Sequence, residues 1–229
     1  MIKLISGIIL CFSFMTATAQ ISSRRVGQLL FKDNFRKGLK HWIVEAADTA
    51  RTVVEADEGK LRIDAPKGVT VWLNKKLSGN YIITYKRKVV MAGGKNDRLS
   101  DLNQFWMATD PSSEDLFKRN GIFEEYDSLS LYYVGMGGNT NSTTRFRKYH
   151  GNGSKPLLAE FKDQEHLLQA NKVYTITTVV NDGVTEFFVD GEKYFSFHDL
   201  QPLKEGYFGI RTTKSHQEVY NFEVRRIKD

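Results

Sequence analysis

The segment Thr143-Thr-Arg-Phe-Arg-Lys-Tyr149 brings together residue types that can do chemistry. Alternation with period two puts Thr143, Arg145, Arg147 and Tyr149 on one strand face and Thr144, Phe146 and Lys148 on the other. Phe146 marks the second face as the core side. The first then presents two guanidinium groups and a phenol in a row. A guanidinium fork binds a carboxylate bidentately, and a uronic acid is a sugar that carries a carboxylate. The preceding Gly135-Met-Gly-Gly-Asn139 is nearly bare of side chains, which lets a ligand approach the backbone. The same cations would equally guard an edge strand against aggregation, or pair with the chain's 27 acidic residues.

A second segment, Asn103-Gln-Phe-Trp-Met-Ala108, offers two parities. If Phe105 and Met107 fill the core, Gln104 and Trp106 face a cleft, where the indole would stack on a pyranose. With the faces reversed, Asn103 is the polar contact and Trp106 is core, the commoner place for a Trp. Together the two segments fit β-elimination at a uronate, which needs a carboxylate neutraliser, a base and an acid. Arg145 and Arg147 would neutralise, helped by Asn103 or Gln104. Tyr149 or His150 would serve as base and Tyr133 or Tyr132 as acid, with Trp106 and Tyr132 also contacting substrate. A non-catalytic glycan-binding module would use the same face without transforming anything.

Other chemistries find less. Glu125-Tyr-Asp127-Ser-Leu-Ser130 begins a two-carboxylate pattern but ends in Ser, so a required acid is missing. A glycoside hydrolase would need another carboxylate pair. The five histidines show no i, i+4 pair for a helical zinc site. Asp101 and Asp110 flank a strand, but their spacing matches no established calcium loop, so no cofactor is expected. No nucleophile elbow, P-loop or dinucleotide fingerprint occurs.

The elements that must position these residues are strands. Short alternating runs rich in β-branched and aromatic residues recur from Lys60 to Val224. Among them are Lys60–Asp64, Val69–Leu73, Tyr81–Val90, Tyr207–Arg211 and Glu218–Val224. Asn181-Asp-Gly183 and Asp190-Gly191 separate neighbours at hairpin spacing. Lys86-Arg-Lys88 reads as a solvent face. Ser113–Arg119 and Glu160–Ala170 are the two short stretches with a helical pattern. The fold class is therefore all-β, a jelly-roll sandwich of two antiparallel sheets. Its terminal segments near Leu30–Phe35 and Tyr220–Val224 should lie together, and Trp42 or Trp72 should be buried.

Residues 1–19 have the charged start, apolar middle and Ala17-Thr-Ala19 end of a secretory signal peptide. No Pro/Ser-rich linker divides residues 20–229, which read as one domain. The address is periplasmic or extracellular. There the net charge, +6 for the full sequence and +5 once Lys3 leaves with the signal peptide, favours acidic polysaccharide or oligosaccharide over nucleic acid as the polyanionic partner.

Phe31-Lys-Asp-Asn-Phe35 with Trp42, the Asp190-Gly191 hairpin and Glu205-Gly-Tyr-Phe-Gly-Ile-Arg211 resemble the concanavalin A-like lectin/glucanase superfamily. Asp101–Asp110, Tyr132–Asn139 and Thr143–Tyr149 resemble an uncharacterised bacterial jelly-roll family. That resemblance implies a role beside polysaccharide breakdown, including that of pectin-type rhamnogalacturonan, with polysaccharide lyase, hydrolase and lectin all within the fold's range.

Cys11 is the only cysteine, so no disulfide can form within one chain. Reducing agent should leave the melting temperature of the protein unchanged in a thermal scan.

Overall fold

Two long strands organise the molecule. The computed structural model describes residues 26–228; the expected signal peptide lies outside them. In chain order the strands are β1 (Val26–Asp33), β2 (Trp42–Ala46), β3 (Val53–Asp57), β4 (Lys60–Leu73), β5 (Leu77–Ser78), β6 (Tyr81–Val89) and β7 (Leu102–Thr109). After a crossing segment come β8 (Ser130–Gly137), β9 (Thr143–His150), β10 (Leu157–Phe161), β11 (Val173–Asn181), β12 (Val184–Val189), β13 (Glu192–His198) and β14 (Glu205–Ile227). Their pairings are antiparallel. This is the expected all-β jelly roll.

The first layer runs β10-β9-β8-β7, then the first half of β14, the second half of β4, and β2. The second layer runs β13-β12-β11-β6 and the second half of β14, which is flanked by β1 and by the first half of β4. Runs expected as separate strands thus fuse: Lys60–Asp64 with Val69–Leu73, and Tyr207–Arg211 with Glu218–Val224. The ladder shifts register between Thr213 and Ser215, opposite Gly68 and Ala65. Pro66, which has no N–H to donate, is tolerated at such an irregularity. The termini meet as expected, with Phe31 opposite Val224 and Asp33 opposite Phe222.

The expected helices are corrected. Ser113–Arg119 is a run of side-chain-supported turns, with Phe117 N–H donating to Asp115 Oδ1 at 2.9 Å. Leu157–Phe161 is an edge strand on β9, and helical character beyond it is confined to a single 3-10 turn, Gln164–His166. Phe161 stacks on Phe195 at 5.2 Å, so tertiary packing overrides the local pattern there.

Between the layers lies an aromatic core. Trp106 stacks on Phe146 at 5.7 Å, and Phe222 packs against Trp42, Tyr85 and Phe208. Trp42 and Trp72 are both buried, as expected, and each indole N–H reaches a carboxylate: Asp33 and Glu45 respectively. Arg87 corrects the reading of its segment as a solvent face, because it is fully buried inside the sandwich. Its Nε donates to Gln217 Oε1 at 2.6 Å, and its terminal nitrogens donate to the carbonyls of Asn103 at 2.7 Å and Arg211 at 2.9 Å. Burial lowers its pKa to about 10, which leaves it charged at neutral pH.

Arg87→Met keeps much of the volume but strands three buried acceptors. Each acceptor left unsatisfied costs about 1–3 kcal/mol, so the variant should lose about 3–5 kcal/mol in urea unfolding. A loss below about 1 kcal/mol would mean that the acceptors find other donors.

Candidate functional site

The outer face of the first layer carries the residues singled out by parity. Register aligns Thr70, Arg211, Asn103, Gly135, Arg145 and Glu160 in one row across β4, β14, β7, β8, β9 and β10. The next row is Trp72, Gly209, Phe105, Tyr133, Arg147 and Leu157. Trp72 lies flat where Gly209 has no side chain; a Cβ there would come within 2.5 Å of the indole. Gly135 does the same for Tyr133, whose hydroxyl would be 2.2 Å from an added Cβ.

Arg145, Arg147 and Tyr149 therefore share one face with Asn103 and Tyr133. Arg145 is 31% exposed, and its Nε bonds Glu160 on β10. Arg147 donates to the Lys155 carbonyl at 2.7 Å. Tyr149 is only 1% exposed and Tyr133 8%. Burial pushes both phenols well above the ordinary tyrosine pKa. Neither is poised to take a proton at neutral pH, so Tyr149 lacks the ionisation that a base needs, while Tyr133 stays protonated as the expected acid would. His150 ends β9 on the opposite parity and is exposed; its backbone N–H donates to Ser154 O at 3.0 Å.

Gln104, Trp106 and Tyr132 do not join this face. The second parity considered for the β7 segment is the one adopted, with Phe105 on the outer face. Gln104 accepts from Tyr85 Oη at 2.6 Å and donates to Thr178 Oγ1 at 2.6 Å. Trp106 donates to Thr185 Oγ1 at 2.9 Å. Tyr132 donates to Asp199, which also pairs with Lys148. All three are core side chains, and their polar atoms are satisfied between the layers, so they are corrected as substrate contacts.

The segment from Asp110 to Leu129 crosses the outer face and covers much of it. Leu116, Tyr126 and Leu129 are buried there with Trp72, Phe105, Tyr133 and Tyr149. Arg119 fastens the segment to itself through Asp110, Ser128 Oγ and the carbonyls of Leu116 and Glu125. Beneath it, Glu45 accepts from Trp72 Nε1, Tyr126 Oη and the Arg119 N–H at 2.7–2.9 Å. Burial raises the Glu45 pKa despite these donors. Glu125 and Asp127 lie in a 3-10 turn before β8. Asp127 pairs with Lys155, and the incomplete two-carboxylate pattern is not displayed on a strand.

The flanking acids are also engaged by cations. Asp101 pairs with Arg98, and Asp110 pairs with Lys118 and Arg119.

Sequence reasoning did not place Arg211, Phe123 or Lys155 at the site. Arg211 is 1% exposed, bonds Thr70 Oγ1 and the Gly121 carbonyl, and makes no ion pair among the described residues. Its guanidinium lies 4.7 Å from the Phe123 ring centre and 4.8 Å from that of Tyr126, a cation–π sandwich. Lys155 approaches Phe123 and Tyr149, each at 5.8 Å. Arg211 was legible, since alternation with Phe208 and Ile210 turns it outward. Phe123 and Lys155 come from loops, where no period applies. Two buried polar atoms at paired positions, Asn103 Oδ1 and Arg211 Nε, have no partner among the described residues. One accepts and the other donates, so a hydroxyl would satisfy both.

Several solved structures share this architecture. A protein of unknown function with a galectin-like fold from Bacillus subtilis aligns with a TM-score of 0.73 at 19% identity, covering 89% of this chain and 98% of that one. The carbohydrate binding module CBM66 from Bacillus subtilis gives 0.55 at 14% identity, covering 81% and 95%. An endo-β-1,3-glucanase from Pyrococcus furiosus gives 0.60 at 11% identity, covering 88% and 95%. At these identities the likeness is one of fold, a galectin-like jelly roll. A family model described as a domain of unknown function (DUF6250) matches residues 63–222. No curated protein matches the chain.

The crossing segment depends on charge. Burial raises the Asp110 carboxyl, but Ser112, Arg119 and Lys118 outweigh it and hold the pKa below the ordinary value of 3.8. A depressed folded pKa gives stability that is present above 3.8 and lost as pH falls through the folded value. Asp110→Asn should therefore cost about 2 kcal/mol at pH 7. In urea unfolding, its gap to the parent protein should narrow steadily below pH 3.8. A gap independent of pH would remove Asp110 as the acid-sensitive anchor.

Proposed function

The chain belongs to the DUF6250 family, whose matched span includes β7, β8 and β9 complete, and on that footing we propose that it is an exported glycan-binding domain selective for acidic sugars. The reading rests on one observation. Arg145 and Arg147 stand side by side at the rim, with Arg211 buried behind them under Phe123 and free of any carboxylate partner among the described residues. Glu160 and Asp127 offset Arg145 and Lys155, while Arg147 is held by a neutral carbonyl. At the rim three cations, Arg145, Arg147 and Lys155, meet two carboxylates, which favours a carboxylate-bearing ligand. The fold neighbours include a carbohydrate binding module and a glucanase, which agrees with a glycan partner. Export follows from the signal-like residues 1–19.

Binding is favoured over β-elimination because the Tyr149 phenol is buried with a raised pKa and His150 lies on the opposite parity from Arg145 and Arg147. Pectin-type uronates are the first ligands to try.

Calorimetric titration with oligogalacturonate and with a neutral galactan oligomer should show tighter binding of the acidic chain. Arg145→Ala or Arg147→Ala should weaken it by about 1.5–3 kcal/mol each. Ultraviolet absorbance of unsaturated products should stay flat. Equal binding of the neutral oligomer would refute acidic selectivity, and product accumulation would establish a lyase instead.

A further inference from the structure

A second place in the fold has the make-up of a ligand site and is remote from the outer face. Where β5 turns into β6 and β11 turns into β12, the layers part around a cavity of about 220 Å³. Its rim carries Asn80, Asp182 and Lys204. Asn80 and Asp182 exchange hydrogen bonds of 2.8 and 3.0 Å, which fixes that side of the mouth. The buried floor includes Met107, Tyr132, Val180 and Thr185. Met107 has φ 55° and sits where the β7–β8 ladder slips register, so a bulge delivers it to the floor. Tyr81 pairs directly with Val180, is fully buried, and its hydroxyl has no partner.

The geometry points to this cavity as a binding site for one neutral sugar ring. At roughly 30 Å³ per water it holds the equivalent of about seven waters. It falls short of the roughly 300 Å³ at which drug-sized pockets begin. Met107 and Val180 offer an apolar floor for the C–H face of a ring, and Asn80, Asp182 and Lys204 supply donors and acceptors for its hydroxyls. Opposite charges at the rim offset each other, which disfavours a ligand with net charge. Thr185 accepts the indole N–H of Trp106 at 2.9 Å, so occupancy should perturb a buried fluorophore. The site requires neither the charge selectivity nor the residues of the outer face.

The test titrates the full chain with glucose, galactose, rhamnose and galacturonate, following tryptophan emission and heat. A neutral sugar should bind saturably, and better than galacturonate binds the Arg145→Ala variant. Val184→Phe, which fills the cavity from its lining, should weaken binding at least about tenfold, or 1.4 kcal/mol. Asp182→Ala at the exposed rim should do likewise, which guards against misfolding of the first variant. Arg145→Ala should leave this binding unchanged, so failure here is separable from failure of the outer-face reading. No saturable response to any neutral sugar, stronger binding of galacturonate that persists in Arg145→Ala, or binding indifferent to both cavity variants would overturn the proposal.

Discussion

A guanidinium without a carboxylate beside it holds the two layers in register. Arg87 projects from β6 into the sandwich and takes Gln217 Oε1 and the carbonyls of Asn103 and Arg211. Gln217 in turn donates to the Ser100 and Asp101 carbonyls and to Thr212 and Ser215 hydroxyls. A buried charge is tolerated only when its donors are satisfied. Here the acceptors come from both halves of β14 and from β7, so satisfaction of one side chain fixes where three backbone stretches meet. Asn103 and Arg211 are directly paired. Their carbonyls are bound from the core side, while their side chains stand on the outer face. The inner clamp thereby sets the position of the outer row.

The outer face is packed as well as charged. Phe105, Tyr133, Tyr149 and Trp72 would offer aromatic surface to a ligand if they were bare, but the Asp110–Leu129 segment buries them. What is left accessible is the rim: Arg145 and Arg147, with Lys155 and Phe123 beside them. A rim of cations around an aromatic can grip a carboxylate and a sugar ring together. Burial that raises the phenol pKa of Tyr149 keeps it protonated and removes it from work as a base at neutral pH.

Strand parity was the legible part of this molecule. It put Arg145, Arg147 and Tyr149 on one face, and for β7 it narrowed the choice to two arrangements without selecting one. The selection came from the interior, where Gln104 finds Tyr85 and Thr178 and Trp106 finds Thr185, partners distant in sequence. Arg87 was misread for the same reason: a Lys-Arg-Lys run looks solvated until the acceptors that bury its centre are known. Continuity of β4 and β14 was hidden by Pro66, Gly68 and the pairing slip opposite them, which are local breakers that the long strands absorb as a bend between layers. Burial of Tyr149 depends on a covering segment whose one apparent period, the helical pattern of Ser113–Arg119, does not describe its turns.

The central claim is that the rim of the first layer binds an acidic glycan. Amide and guanidinium chemical-shift mapping with saturating oligogalacturonate tests it most directly. The account requires the largest shifts at Arg145, Arg147, Phe123 and Lys155, with little change along β11–β13. Shifts centred on the second layer, or none at saturating ligand, would contradict it.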